Sequence, residues 1–240
     1  MRLILFDVDG TLVDVQASGR WAMNRAFEAV FDLPDAEPFS AGLRFDGMTD
    51  PIIVRAIAGA AGIPESELEA KSAPFERAFL ENLGSRLATM GDKRALPGVA
   101  DLLDRLAGVS MARVGLLTGN IEKGARLKLS SVGLSGYFET GGFGSDAADR
   151  AAIGLIARRR FEEKLDRPID PDDVTVVGDS LEDIRAARAN GYRCLAVGTG
   201  WTDPDALRAA GPDLFMTDLT DFGMAMQFLF GTRGAPARSG

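Results

Sequence analysis

The chain has 240 residues, 46% of them hydrophobic, and carries 35 Asp and Glu against 27 Lys and Arg, a formal net charge of -8. This is enough apolar material for one large domain, or for a core domain with an insert. The acidic balance argues against nucleic acid or anionic membrane as a main partner, because clustered Lys and Arg are what bind a phosphate backbone. Histidine is absent and there is one cysteine, Cys194. That removes His-ligated zinc, a Ser-His-Asp triad, a Cys-His pair and an intramolecular disulfide from the available chemistry. A lone cysteine also suits a reducing compartment.

The first element is an apolar run, Leu3 to Phe6, leading into Asp7, Val8, Asp9 and Gly10. The run is too short for a signal-peptide core or a membrane span. It is read as a strand buried on both faces, and the protein as cytoplasmic. Strand alternation would put Asp7 and Asp9 on one face, where like charges raise each other's pKa. Gly10 marks a turn that frees the second side chain, and a bound cation would offset the repulsion.

Residues 15–91 lack this strand rhythm. "SGRWAMNRAFEAVF", "DPIIVRAIAGAAG" and "SELEAKSAPFERAFLENLG" follow helical spacing, with Pro74 kinking or dividing the last. Trp21 is assigned to packing. The segment is expected to form a separate helical module, with 1–14 and 92–231 making the core and 232–240 a disordered tail. The connections fall near Asp14 and "MGDKRALPG".

Three further apolar runs follow: "ARVGLLTGN", "VTVVGDS" and "RCLAVGTG". Runs of this kind alternating with helices predict an α/β fold with a doubly wound parallel sheet, whose ligands bind outside the carboxyl ends of the strands. Thr118, Gly119 and Asn120 end the second run at a helix start, where free amides and a hydroxyl suit an anion. Asp179 ends the third, and Asp183 follows one helical turn later. Asp179, Ser180 and Asp183 could equally cap that helix. Four carboxylates without a His or Cys ligand make a hard oxygen site that suits magnesium. Cys194 lies in an apolar run and is read as core.

The ordered set "DVDGT", "LLTGN", a basic residue and "GDSLED" resembles the haloacid dehalogenase superfamily, in its magnesium-dependent phosphatase branch. The resemblance covers roughly 1–14 and 92–230, and the helical insert lies where that family carries a four-helix cap. It implies a Rossmann-like core, Mg2+ as cofactor and a small phosphorylated metabolite as substrate. Carried over by position, Asp7 would be the nucleophile and Asp9 the general acid and then base. Thr118, Gly119 and Asn120, with Gly10 and Thr11 from the first motif, would hold the phosphoryl group. Asp179, Asp7 and the Asp9 carbonyl would bind magnesium, assisted by Asp183.

One position departs from the family pattern. Where a lysine is expected, "FGSDAADRAAIG" offers Arg150, whose forked donors can bridge two oxyanions. Lys164 is the later alternative, and Arg158 to Arg160 are read as a solvated helix face. Asp9 favours phosphate over halide or phosphonate chemistry within the superfamily. The mutase branch has a cap histidine with no counterpart here, so hydrolysis is expected, of a phosphoglycolate- or sugar-phosphate-like ester. The alternatives are a phosphomutase of the β-phosphoglucomutase type, a receiver-like phospho-acceptor and a non-catalytic relative. Substrate choice is placed in "LRFDGMTDP", on Arg44, Asp46, Gly47, Met48 and Thr49. A monomer or homodimer is expected.

Overall fold

The computed structural model describes residues 1–43, 45 and 47–231. Arg44, Asp46 and the expected disordered tail, 232–240, lie outside them. The chain opens with β1 (Arg2–Phe6) and a two-residue β2 (Val13–Asp14). Five helices follow: α1 (Ser18–Phe31), α2 (Glu37–Ser40), α3 (Asp50–Ala60), α4 (Glu65–Ala70) and α5 (Ser72–Thr89). Next come β3 (Arg94–Ala95), α6 (Val99–Ala107), β4 (Ala112–Leu117), α7 (Glu122–Ser131), β5 (Gly141–Gly142) and α8 (Arg150–Leu165). The last elements are β6 (Val174–Gly178), α9 (Leu181–Ala189), β7 (Arg193–Val197), α10 (Pro204–Ala209), β8 (Leu214–Met216) and α11 (Phe222–Phe230).

Six strands form one parallel sheet in the order β5-β4-β1-β6-β7-β8. From β1 the chain builds outward through β4 to β5, then returns to lay β6 on the other side of β1. That reversal makes the carboxyl ends of β1 and β6 the switch point of the sheet, where an open α/β fold leaves a crevice. Phe6 is paired with Leu116 on one side and Val177 on the other, so Asp7 emerges between two strand ends.

The sheet is buried on both faces, and β1 shows how. Leu3 and Leu5 join Ile153 and Phe161 of α8 and Ile184 of α9, while Ile4 and Phe6 join Leu103 of α6, Leu129 of α7 and Leu229 of α11. A fully buried side chain such as Phe6 contributes about 1.5–3 kcal/mol, and a strand with two buried faces reads as a near-continuous apolar run. β1, β4, β6 and β7 are the four expected runs. β5, a glycine pair, and the short edge strand β8 carry no comparable apolar run and were not expected.

Between β2 and β3 the described chain is helical. α1 and α5 pack along each other through Phe27 and Phe75, whose ring centroids are 4.7 Å apart. The last predicted helix is divided at Lys71, and Pro74 falls in the first turn of α5, where its missing N–H removes no helix bond. Trp21 is half-buried between Arg25 and Arg86, a packing role. The chain leaves the core through β2 and returns through β3, and these strands pair antiparallel, with Asp14 and Arg94 in an ion pair. Among the described residues no helix is long and apolar enough to cross a membrane.

Two readings need correction. Arg158 to Arg160 are not a uniformly solvated face: Arg158 lies over the Tyr192 ring, and Arg160 grips Asp146 through contacts of 2.7 and 2.8 Å, leaving Arg159 exposed. Lys164 pairs with Glu139 at the surface and takes no part in the crevice. Cys194 is buried as expected, and burial pushes its thiol well above the usual range.

Candidate active site

Asp7 directly follows β1, and its N–H donates to the Val177 carbonyl at 2.9 Å, which ties it to β6. Asp179 directly follows β6, and Asp183 lies in the first turn of α9. The three carboxylates, 6%, 3% and 0% exposed, bring oxygens within 4.8 Å of one another. Arg150, the first residue of α8, is placed there by an N-cap in which Asp149 accepts from Ala152 N–H at 2.9 Å. Its Nη2 reaches Asp7 Oδ2 at 2.7 Å and Asp183 Oδ1 at 2.9 Å.

Asp183 does the capping job considered from the sequence. Its Oδ2 accepts from the Ser180 N–H at 3.0 Å and the Ser180 hydroxyl at 2.6 Å, closing a capping box at the start of α9. Its Oδ1 is buried without a directed hydrogen bond and faces Arg150. Arg150 Nε is likewise buried without a hydrogen-bond partner, whereas Nη2 is engaged by the two carboxylates.

The electrostatics follow from burial. Removal from water is the main force lifting Asp7 from 3.8 to about 6, against the pull of Arg150, with Asp183 and Asp9 adding to it. Asp179 is raised well above the usual range by burial and then by its Asp7 and Asp183 neighbours. Burial works against the charge on Arg150, but Asp183 and Asp7 more than offset this and hold it protonated. Three carboxylates thus face one guanidinium, a shortfall of two positive charges. An all-oxygen donor set with that shortfall and an unfilled Oδ1 fits a hard divalent cation.

The Asp9 carboxylate is not part of this group, so of the four carboxylates counted from the sequence three come together; the ligand expected from Asp9 is its backbone carbonyl. Gly10, at φ 77°, turns the chain, and a Cβ there would lie 2.5 Å from Asp179 Oδ2. The Asp9 side chain instead accepts from Asn120 Nδ2 at 2.8 Å and from Lys128 Nζ at 2.6 Å. Asn120 Nδ2 also lies 2.8 Å from Thr118 Oγ1.

A cavity of about 480 Å³ opens onto Asp7, Asp9, Thr118, Gly119, Asn120, Arg150 and Asp179. Of Gly10 and Thr11, expected at the phosphate, the Thr11 hydroxyl donates to Asp179 Oδ1 at 2.7 Å and the Gly10 N–H donates to the Val13 carbonyl at 3.1 Å. From the insert, Gly47 and Met48 line the cavity. Thr49 does not: it is buried beside Gly144, against the loop after β4. Arg44 lies outside the described residues.

Among the lining residues missed in the sequence, two are buried and charged. Asp50 accepts from Ile121 N–H at 2.8 Å and donates its own N–H to the Gly119 carbonyl at 2.8 Å, docking the insert on the core. Burial lifts its carboxyl to about 6, opposed by Lys128. Lys128, on α7, is 4% exposed. An Asp opening a helix reads as a dipole partner and a Lys within a helix as solvated, so neither pattern signals a site. Gly119 permits the docking, since a Cβ there would meet Met48 O at 2.0 Å.

The family described as haloacid dehalogenase-like hydrolase matches residues 1–191. The chain is 31% identical over 229 residues to phosphoglycolate phosphatase 1 of Pseudomonas aeruginosa, covering 92% of this chain and 78% of that protein. It is 29% identical over 229 residues to a phosphoglycolate phosphatase of Synechococcus elongatus, covering 92% and 95%. In fold it resembles the crystal structure of a predicted phosphoglycolate phosphatase from Haemophilus somnus, with a TM-score of 0.69 at 22% identity over 95% of this chain and 98% of that one. With most of its length matched, and a Rossmann-like sheet whose strand ends carry the motifs, the chain belongs to the haloacid dehalogenase-like hydrolases.

Proposed function

We propose that the chain is a phosphoric monoester hydrolase that uses magnesium and a covalent phosphoryl-Asp7 intermediate to cleave a small phosphorylated metabolite. The observation that carries this reading is Arg150, buried beside Asp7 with its Nε unfilled and lining the cavity, so that one group can hold a substrate oxyanion against the nucleophile. The named relatives support the substrate class, a phosphoglycolate- or sugar-phosphate-like ester.

In the first half-reaction an Asp7 oxygen attacks phosphorus, the bond to the leaving oxygen breaks, and Asp9 gives that oxygen its proton. Arg150, with the Thr118 hydroxyl and the Gly119 and Asn120 end of β4, holds the phosphoryl oxygens. Water then attacks phosphorus, its proton goes to Asp9, and the bond from phosphorus to Asp7 breaks, releasing inorganic phosphate. Magnesium, when held by Asp7, Asp179 and Asp183, supplies neutralisation of the charge on the transferring group. The insert, read as a cap over 15–91, covers the cavity and excludes bulk water, with Gly47 and Met48 facing the leaving group. A cytoplasmic location fits a chain with a single, buried cysteine.

The test is phosphate release from a panel of phosphate esters, with magnesium and with EDTA, beside Asp7→Asn. Magnesium-dependent release that vanishes in the variant is expected. Normal turnover by Asp7→Asn would overturn the mechanism.

A further inference from the structure

Lys128 has no assigned part in any of this, yet its surroundings are those of a site residue. An ammonium 4% exposed is rare unless it is paired. Both of its partners belong to the crevice: Asp9 Oδ2 at 2.6 Å and Asn120 Oδ1 at 2.6 Å. Asn120 closes the ring by donating to the same Asp9 oxygen at 2.8 Å. Three elements therefore meet in one hydrogen-bonded triangle: the turn after β1, the loop after β4, and α7.

The triangle fixes two orientations. Because Asn120 Oδ1 accepts from Lys128, its Nδ2 must face Asp9 and Thr118. Because both donors to Asp9 converge on Oδ2, neither uses Oδ1, and Asp9 lines the cavity. The insert completes the enclosure: Gly19 of α1 comes so near that a Cβ there would lie 3.4 Å from Nζ.

We propose that Lys128 is the positioning residue for Asp9, holding one carboxylate oxygen with Asn120 so that the other is presented to the leaving oxygen of the substrate. This rests on the assignment of Asp9 as general acid in the proposed hydrolysis. The hydrogen bonds of Lys128 run to Asp9 and Asn120 and not to Asp7, so its loss should be felt most where the leaving group needs a proton. A merely structural lysine would have no such selectivity.

The test uses Lys128→Met and Lys128→Gln with magnesium, on an unactivated alkyl phosphate and on p-nitrophenyl phosphate, with thermal melting alongside. The value of kcat/KM reports the steps up to departure of the leaving group, so it isolates the transfer in which Asp9 acts as acid. In Lys128→Met it should fall about 100-fold on the alkyl ester and far less on the nitrophenyl ester, whose phenolate leaves unprotonated. Lys128→Gln, which keeps a donor, should lie between Lys128→Met and the parent. Adding Asp9→Asn to Lys128→Met should cost little more on the alkyl ester. Equal losses on the two esters, in whichever variant folds, would overturn the inference while leaving the phosphatase reading intact. Absence of turnover on both esters in the parent protein would overturn the phosphatase reading, and the inference with it.

Discussion

Two groups of charges lie around the end of β1, two residues apart in sequence, and they are built differently. The inner group sets three buried carboxylates, Asp7, Asp179 and Asp183, against the single guanidinium of Arg150. The outer group sets one carboxylate, Asp9, against one ammonium, Lys128, with Asn120 bonded to both. The outer group is balanced by the chain's own side chains. The inner group is not, and burial lifts Asp7 to about 6 because ionisation there has too little positive charge to meet. An unbalanced buried cluster is costly to keep without an added cation, whereas a balanced one fixes a geometry. This is the physical sense in which neighbouring aspartates can have different tasks.

Asp7→Asn should break the comparison most completely. Steady-state turnover should drop by at least about 10⁴-fold, because the attacking oxygen is gone while the shape remains. Circular dichroism should show the fold unchanged. Next is Arg150→Ala, which leaves the inner group with no cation. A loss of about 3–5 kcal/mol in urea unfolding is expected for the metal-free protein, and magnesium should recover part of it. If the variant is as stable as the parent, the ion pairs of Arg150 are not holding the cluster together.

The pH dependence of the metal-free protein comes third. Asp7 has a folded pKa of about 6 against 3.8 unfolded, so the native state binds the extra proton between these values. Stability is therefore fully present below about pH 4 and is lost as pH rises toward 6, by up to about 3 kcal/mol for this group. Asp50, also raised to about 6, adds a contribution of the same sign. Melting temperatures across that window should fall without magnesium and flatten with it; a rise without magnesium would contradict the charge count. The smallest effect belongs to Lys164→Ala. Its pair with Glu139 is at the surface, so stability should change by about 0.5 kcal/mol or less with activity intact.

The sequence carried the fold a long way because its strongest signals are local. Strands buried on both faces are near-continuously apolar, and that pattern located β1, β4, β6 and β7. β5 and β8 escaped because two or three residues at an edge need no such run. The strand-end residues Asp7, Thr118 and Asp179 were legible for a related reason: in a parallel sheet the chain order of motifs is enough to bring their ends together. Arg150 could be placed only by resemblance, and the structure sets it against Asp7 and Asp183.

Side-chain direction was decided by tertiary contact. No spacing rule says that Asp9 turns from Asp7 toward a lysine on α7, that Thr11 spends its hydroxyl on Asp179, or that Asp50 docks the insert on the Gly119 loop. Chain connectivity and apolar pattern are written residue by residue, and so the sequence by itself determined the sheet, the inserted helices and the meeting of the acidic strand ends. The pairing of charges depends on which buried groups lie within about 3 Å once helices and insert have packed, a distance set by the whole fold.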